Sequence, residues 1–204
     1  MINKKLSLNG LIFKATKINV SNNILTITLN RPEKKNALNN VMVNEINYAL
    51  AYAKQEREIR VVVIAAEGDI FCAGADLNRT ESDSNVPKLD GAEDISIAIR
   101  HLYKPVICKI QGSVLAGALL MVTNATHAIA NKEAKFSAPE IKRGLWPFMV
   151  MAGLFRVMPK IYVHYDTYKG GQPTSVGHIF VTLEDGSGNK ETLGLYPKAP
   201  NLNA

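Results

Sequence analysis

Apolar positions along this chain change their period repeatedly, and each change marks an element. Ile24–Leu29 (ILTITL) is β-branched and apolar, Lys14–Val20 alternates imperfectly, and the SNN between them is turn chemistry, so a hairpin is predicted. The polar stretch NRPEKKNAL follows, where Pro32 cannot continue a ladder. Asn39 or Asn40 then caps a predicted helix in which Met42, Ile46, Ala49, Leu50 and Ala53 recur at helical spacing. Val61–Ala66 (VVVIAA) is a continuous apolar run, as expected of a strand covered on both faces. Residues 78–92 are polar and turn-rich and read as a mobile surface loop.

Ile95, Ala98, Ile99 and Leu102 mark a second helix, stopped by Pro105. Val106–Ile110 reads as a buried strand, residues 116–125 as a helix of small and apolar residues, and HAIAN and AKFS as short strands. Pro147–Met158 reads as an apolar helix. Strands alternating with helices predict the α/β class with right-handed crossovers. The character shifts near Lys160. Beyond it no helical pattern appears, and Val176–Leu183 with Glu191–Tyr196, joined by DGSGN, suggest one β-hairpin. The expected division is a core at residues 1–160 and a β-rich tail at 161–204.

Charge adds one constraint. With 24 Lys and Arg against 18 Asp and Glu, the formal net charge is +6, which favours anionic ligands. No tract clusters basic residues with stacking aromatics, so nucleic acid is not the expected partner and a phosphate-bearing small molecule fits. The two cysteines, Cys72 and Cys108, make no disulfide framework and have no metal-ligand spacing, so free thiols in a reducing cytosol are expected. The start, MINKKLSLNGLIF, lacks the long apolar core of a signal peptide, and Val114–Val122 is far short of the ~20 residues that span a bilayer. A cytoplasmic protein away from membranes is the expectation.

Two stretches share one design, an apolar strand running into a small-residue turn and then a helix: VVVIAAEGDIFCAGAD and VICKIQGSVLAGALL. Small residues let a ligand approach the backbone, and N–H groups at a helix start favour negative charge. Two such donors suit an oxygen that gains charge as an enolate forms. The same residues also suit turns made tight for packing alone.

The segments ITLNRPEKKNAL, IFCAGADL, IQGSVLAGALL and FSAPEIKRGLWP stand in the order and spacing of the crotonase family, the enoyl-CoA hydratases and isomerases, which this chain resembles from about Leu11 to Lys160. The resemblance implies a crotonase-like (ClpP/crotonase) α/β fold, a spiral of ββα units, acting on acyl-CoA thioesters with no cofactor and no metal, coenzyme A being part of the substrate. It places the two oxyanion N–H groups on Ala75 and Gly117. It implies substrate contacts at Ala73, Gly74, Asp76, Leu77, Leu120 and Trp146, with Lys34 and Lys35 in the loop near the CoA phosphates. For the two lysines, solvated surface charge is an equal reading. A homo-oligomer, trimer or hexamer, is the family's expectation.

Hydratases of the family use two glutamates on one water. One stands three residues after the second oxyanion glycine, where this chain has Leu120; the other is the glutamate of a PE pair, here Glu140. Leucine neither orients a water nor exchanges a proton, whereas moving a proton between two carbons needs one shuttling base. The resemblance therefore favours isomerisation over hydration, with Glu140 as base and then acid and with apolar Leu120, Trp146 and Phe148 as expected neighbours. A helix-start carboxylate of structural use is the bland reading of Glu140. Glu81, Asp83 or Asp90 are candidates to replace the lost acid.

The remaining residues tempt less. Asp76 reads as a helix N-cap, Cys72 as a packing residue, and His101, His127, His164 and His178 assemble no metal site. Family members continue past RVMPK with helices that cover the acyl pocket and build the trimer interface. The tail here is not a short version of these, so Val150, Leu154, Phe155 and Val157 are expected at the surface. Two alternatives stand beside the enzyme: a non-catalytic or truncated acyl-CoA-binding remnant, and a fusion whose tail, with His178, carries a separate interaction or effector role.

Overall fold

A computed structural model describes residues 5–78, 85–89, 91–157, 160–165, 179–184 and 190–195. It divides into two compact units, Met1–Val150 and Met151–Ala204. The first unit opens with the expected hairpin. Strands β1 (Thr16–Ser21) and β2 (Ile24–Leu29) pair antiparallel, and Asn22 and Asn23, at φ 50° and 63°, make the left-handed turn that asparagine tolerates.

Helix α1 (Asn40–Gln55) begins where Asn39 Oδ1 accepts the Met42 amide at 2.9 Å. Its periodic residues Met42, Ile46, Ala49, Leu50 and Ala53 are all at most 2% exposed. They share the core with Leu25, Ile27 and Leu29 of β2. Glu45 lies on the same helix, wholly buried, and accepts the Lys14 amide at 2.5 Å, the Ala15 amide at 3.0 Å and the Thr16 hydroxyl at 2.8 Å. A buried carboxylate is tolerated because three donors replace its water.

From β3 (Val61–Ala66) the chain repeats one cycle. A strand joins a large sheet, a second and shorter strand joins a small sheet, and a helix returns. The first cycle is β3, β4 (Ile70–Cys72) and α2 (Ile95–Arg100). The second is β5 (Val106–Ile110), β6 (Ser113–Leu115) and α3 (Leu119–Asn124). The third has its two strands, β7 (His127–Ala130) and β8 (Phe136–Ser137), and the next helix, α4 (Phe148–Val157), runs across the boundary between the two units. The large sheet has the order β1-β2-β3-β5-β7, parallel from β2 onward; the small sheet has the order β4-β6-β8 and is parallel throughout. This is the α/β arrangement of repeated ββα units that the resemblance implies.

Three details differ from the sequence reading. Only one face of β3 is fully covered: Val62 and Ile64 are wholly buried while Val61, Val63 and Ala65 are half-buried, so the continuous apolar run does not mean two closed faces. Strands β4 and β6 lie inside stretches read as turns. Val150 and Leu154, expected at the surface, are 3% exposed and half-buried respectively, whereas Phe155 and Val157 are exposed as expected.

The small sheet leaves no room at its entrance. A Cβ on Gly112 would stand 1.8 Å from the Asp69 carbonyl oxygen and 2.8 Å from its carbon, both backbone atoms that cannot swing aside. Gly112→Ala is therefore expected to lower Tm by roughly 5 °C or more, readable by thermal denaturation.

In the second unit, β9 (Lys160–Tyr165), β10 (Ile179–Glu184) and β11 (Lys190–Leu195) form an antiparallel meander in the order β11-β10-β9. The expected hairpin is its β10–β11 half. Strand β9, which bears His164, was not anticipated, although KIYVHY carries the β-branched and aromatic residues of a strand. Val176–His178, the DGSGN turn and Tyr196 lie outside the described residues. No helix among the described residues is long and apolar enough to cross a membrane.

Candidate active site

Three parallel strands ending side by side put whatever follows them at one edge. After β4 comes Ala73-Gly74-Ala75, after β6 comes Ala116-Gly117, and after β8 comes Ala138-Pro139-Glu140. Strand β6 lies between β4 and β8 in the small sheet, with Leu115 opposite Ser137, so adjacent exits stand about one strand spacing apart, roughly 4.8 Å, and the outer two about twice that. The edge formed by the carboxyl ends of parallel strands is the usual place for a ligand site in α/β folds.

The first two exits touch. A Cβ built on Gly74 would lie 2.9 Å from Ala116 Cβ, 3.0 Å from Leu115 O and 3.2 Å from Gly117 N. One built on Gly117 would lie 3.9 Å from Ala75 N. Gly74 has φ +91°, open to glycine, and Ala116 holds φ +52°, a left-handed conformation that costs a non-glycine residue about 1 kcal/mol. Close approach and turn geometry together require glycine at 74.

The Ala75 amide has a defined direction. Leu38 N donates to Gly74 O at 2.8 Å and Asp76 N donates to Leu38 O at 3.0 Å, an isolated parallel bridge between Leu38 and Ala75. Gly74 C=O and Ala75 N–H belong to one trans peptide and point opposite ways, so this N–H faces away from Leu38. Gly117 is the second residue of a 3₁₀ turn, Ala116–Ala118, where the first amides have no intrahelical acceptor. Two N–H donors thus stand close together, and among the described residues neither has a backbone acceptor.

Glu140 lies in a 3₁₀ turn, Pro139–Arg143, whose start is the third exit. Its Oε2 is buried with no hydrogen-bond partner among the described residues. Leaving such an oxygen unmet costs about 1–3 kcal/mol, a cost that a ligand proton or hydroxyl would relieve. Leu120, in the first turn of α3, is half-buried. Trp146 and Phe148, expected as apolar neighbours of Glu140, pack on each other with ring centroids 6.0 Å apart, yet are 45% and 73% exposed.

Other candidates sort clearly. Lys34, Lys35 and Leu77 are exposed, and Ala73 is half-buried. Asp76 begins no helix among the described residues; the next is α2, so the N-cap expectation is corrected. Its carboxylate instead accepts the Asn78 amide at 3.0 Å and the Arg31 guanidinium at 3.1 Å. Those bonds, the Asn78 amide first, hold its carboxyl below the usual range. A depressed folded-state value means that the contribution to stability is present above about pH 4 and is lost as pH falls through the folded value. Asp76→Asn should therefore flatten the acid limb of the Tm–pH curve below about pH 4.

Cys72 and Cys108 are fully buried, and burial pushes each thiol up to about 12, so both pack rather than react. His101 pairs with Glu93 at 3.3 Å, and among the described residues no cluster of His, Cys, Asp and Glu could hold a metal. Glu81, Asp83 and Asp90 lie outside the described residues.

Sequence reasoning passed over Arg31 and Asn36. Asn36 is wholly buried at φ +52°; its Oδ1 accepts the Arg31 amide at 2.8 Å and its Nδ2 donates to Glu67 O at 2.8 Å and Ile70 O at 2.9 Å. Its own carbonyl accepts the Cys72 thiol at 3.0 Å. The loop 31–38 is thereby tied to both ends of β4. The only hint in the sequence is an asparagine in a loop, the residue most tolerant of a left-handed backbone after glycine.

Comparison with known proteins gives the same frame. The family model described as enoyl-CoA hydratase/isomerase matches residues 19–175, past Lys160 where the motifs run out. Among similar proteins, trans-2-decenoyl-[acyl-carrier-protein] isomerase of Streptococcus mutans is 32% identical over 142 residues, covering 66% of this chain and 54% of that protein. The 1,2-epoxyphenylacetyl-CoA isomerase of Escherichia coli K12 is 31% identical over 139 residues, covering 63% and 52%. Among solved structures, an enoyl-CoA hydratase/isomerase from Mycobacterium paratuberculosis superposes with a TM-score of 0.64 at 28% identity, covering 73% of this chain and 60% of that one. The chain spans about half the length of the curated relatives it matches.

Proposed function

The chain belongs to the enoyl-CoA hydratase/isomerase family, and from that premise we propose that it moves a double bond along an acyl-CoA thioester. In this reading the Ala75 and Gly117 amides bind the thioester oxygen. Glu140 takes a proton from the carbon next to the thioester of a 3-enoyl chain. The C–H electron pair passes through the carbonyl onto that oxygen, giving a dienolate held by both amides, and the Glu140 carboxyl returns the proton to the far carbon of the allyl unit. One C–H bond breaks, another forms, and the double bond comes into conjugation. No metal or separate cofactor enters.

The observation that carries the reading is the buried Glu140 Oε2, without a hydrogen-bond partner among the described residues, one strand exit from the Gly117 amide and two from the Ala75 amide. Isomerisation is preferred over hydration because Leu120 supplies no second carboxylate to orient a water. Lys34 and Lys35 are suited to the CoA phosphates, and Ala73, Gly74, Leu77, Leu120 and Trp146 to contacts with the thioester and acyl chain. A cytoplasmic homo-oligomer, trimer or hexamer, belongs to the same reading. The second reading is a protein that binds acyl-CoA without turnover, favoured by the same Leu120.

Titration with acetoacetyl-CoA tests the amide pair without calling on any glutamate. A saturable enolate absorbance supports the oxyanion assignment, and its absence in folded protein overturns it. Turnover of a 3-enoyl-CoA then separates the isomerase from the binder.

A further inference from the structure

We infer that Arg31 is a positioning residue for the oxyanion turn, clamping both sides of the bridge that aims the Ala75 amide. The inference rests on the oxyanion reading above. Arg31 is 8% exposed although it lies in a polar loop. A single nitrogen, Nη1, donates to Ala37 O at 2.7 Å and to Asp76 Oδ2 at 3.1 Å. Ala37 immediately precedes Leu38 and Asp76 immediately follows Ala75, so these two contacts bracket the Leu38–Ala75 bridge. The guanidinium closes a ring through Leu38 N, Gly74 O, Asp76 N and Leu38 O.

The far end of the clamp is itself fixed. Arg31 N donates to Asn36 Oδ1 at 2.8 Å, and the Asn36 and Lys34 amides donate back to Arg31 O at 2.9 Å and 3.0 Å. The Ala73 amide donates to Lys35 O at 3.0 Å, which holds the entry to the turn. Between Ala73 and Asp76 the 74–75 peptide, which carries the Ala75 N–H, is held through Gly74 O, on which Leu38 N donates at 2.8 Å. The two side chains of the ion pair are 10% and 14% exposed. Glycine's freedom at φ +91° leaves the Gly74 turn without a steric preference of its own, and the buried arginine beside it supplies the restraint that keeps one orientation.

A merely structural ion pair would set stability alone; a positioning one sets kcat. The test compares wild type, Arg31→Gln, Asp76→Asn and the double variant by Tm, by kcat and KM with a 3-enoyl-CoA, and by the enolate absorbance of bound acetoacetyl-CoA. Arg31→Gln should lower kcat about 10- to 100-fold with KM changed less than about threefold, and weaken the band, as expected of a small misplacement of one donor. The double variant, which leaves no unpaired carboxylate, should regain Tm but not kcat. Should Arg31→Gln fail to fold, Asp76→Asn alone should lower kcat and weaken the enolate band, with a Tm somewhat below wild type at neutral pH and equal to it below about pH 4. Recovery of kcat together with Tm in the double variant, or wild-type kcat and band in every variant, overturns the inference. A wild-type protein that gives no enolate band removes the oxyanion reading, and the positioning role with it.

Discussion

Glu140→Gln should lower turnover of a 3-enoyl-CoA by about 10²- to 10⁴-fold while leaving the acetoacetyl-CoA enolate band intact. Glutamine keeps the shape and one acceptor oxygen but cannot take up and return a proton. Because Oε2 has no hydrogen-bond partner among the described residues, the change breaks no contact there, and Tm should stay within about 1 °C of wild type. The measurement is kcat and kcat/KM beside the binding titration. Loss of turnover with binding kept assigns the proton to this carboxyl. Unchanged turnover removes Glu140 from the chemistry, and a carboxylate elsewhere has to be sought.

Gly74→Ala should cost turnover about 10²- to 10³-fold and stability about 1–2 kcal/mol. The methyl would meet Ala116 Cβ at 2.9 Å, Leu115 O at 3.0 Å and Gly117 N at 3.2 Å, and the backbone would have to hold φ +91° with a side chain attached. Relief can come only by parting the two turns, which moves the Ala75 and Gly117 amides away from each other. The enolate band should therefore fall with kcat, unlike the Glu140 variant, where the two separate. Gly117→Ala provides the contrast: its Cβ would be 3.9 Å from Ala75 N, an ordinary contact, so the fold should accept it while the methyl crowds the space an oxygen must share with both amides. Equal turnover in Gly74→Ala and wild type, by stopped assay, would show that the two turns do no chemistry.

What could be read from residues alone divides along physical lines. The hairpin, α1 and the large-sheet strands were legible because they are long enough for a period to repeat; Met42 to Ala53 on α1 is the plainest case. Of the small sheet only β8 was, as AKFS. Strands of three, three and two residues show no alternation, so Ile70–Cys72 and Ser113–Leu115 read as parts of turns. The site residues were found by likeness to a family, and the reason they meet, the shared edge of that small sheet, came only with the fold. Arg31 and Asn36 were missed for another reason. Polarity in a loop predicts exposure, and both are buried because backbone carbonyls and a carboxylate, rather than water, meet their donors.

The small sheet also sets a rule for which length changes the molecule can absorb. Ala75 follows the end of its strand by three residues (75 − 72), Gly117 by two (117 − 115) and Glu140 by three (140 − 137). An insertion in the polar stretch between β4 and α2 leaves those offsets alone and is taken up by loop. One residue added inside any offset shifts that group by up to about 3.3 Å against the other two, two-thirds of a strand spacing. The candidate site is thus punctuated by strand ends: beyond the buried helices and strands, whose registers are fixed by packing, added length is costly in three further places of two or three residues each.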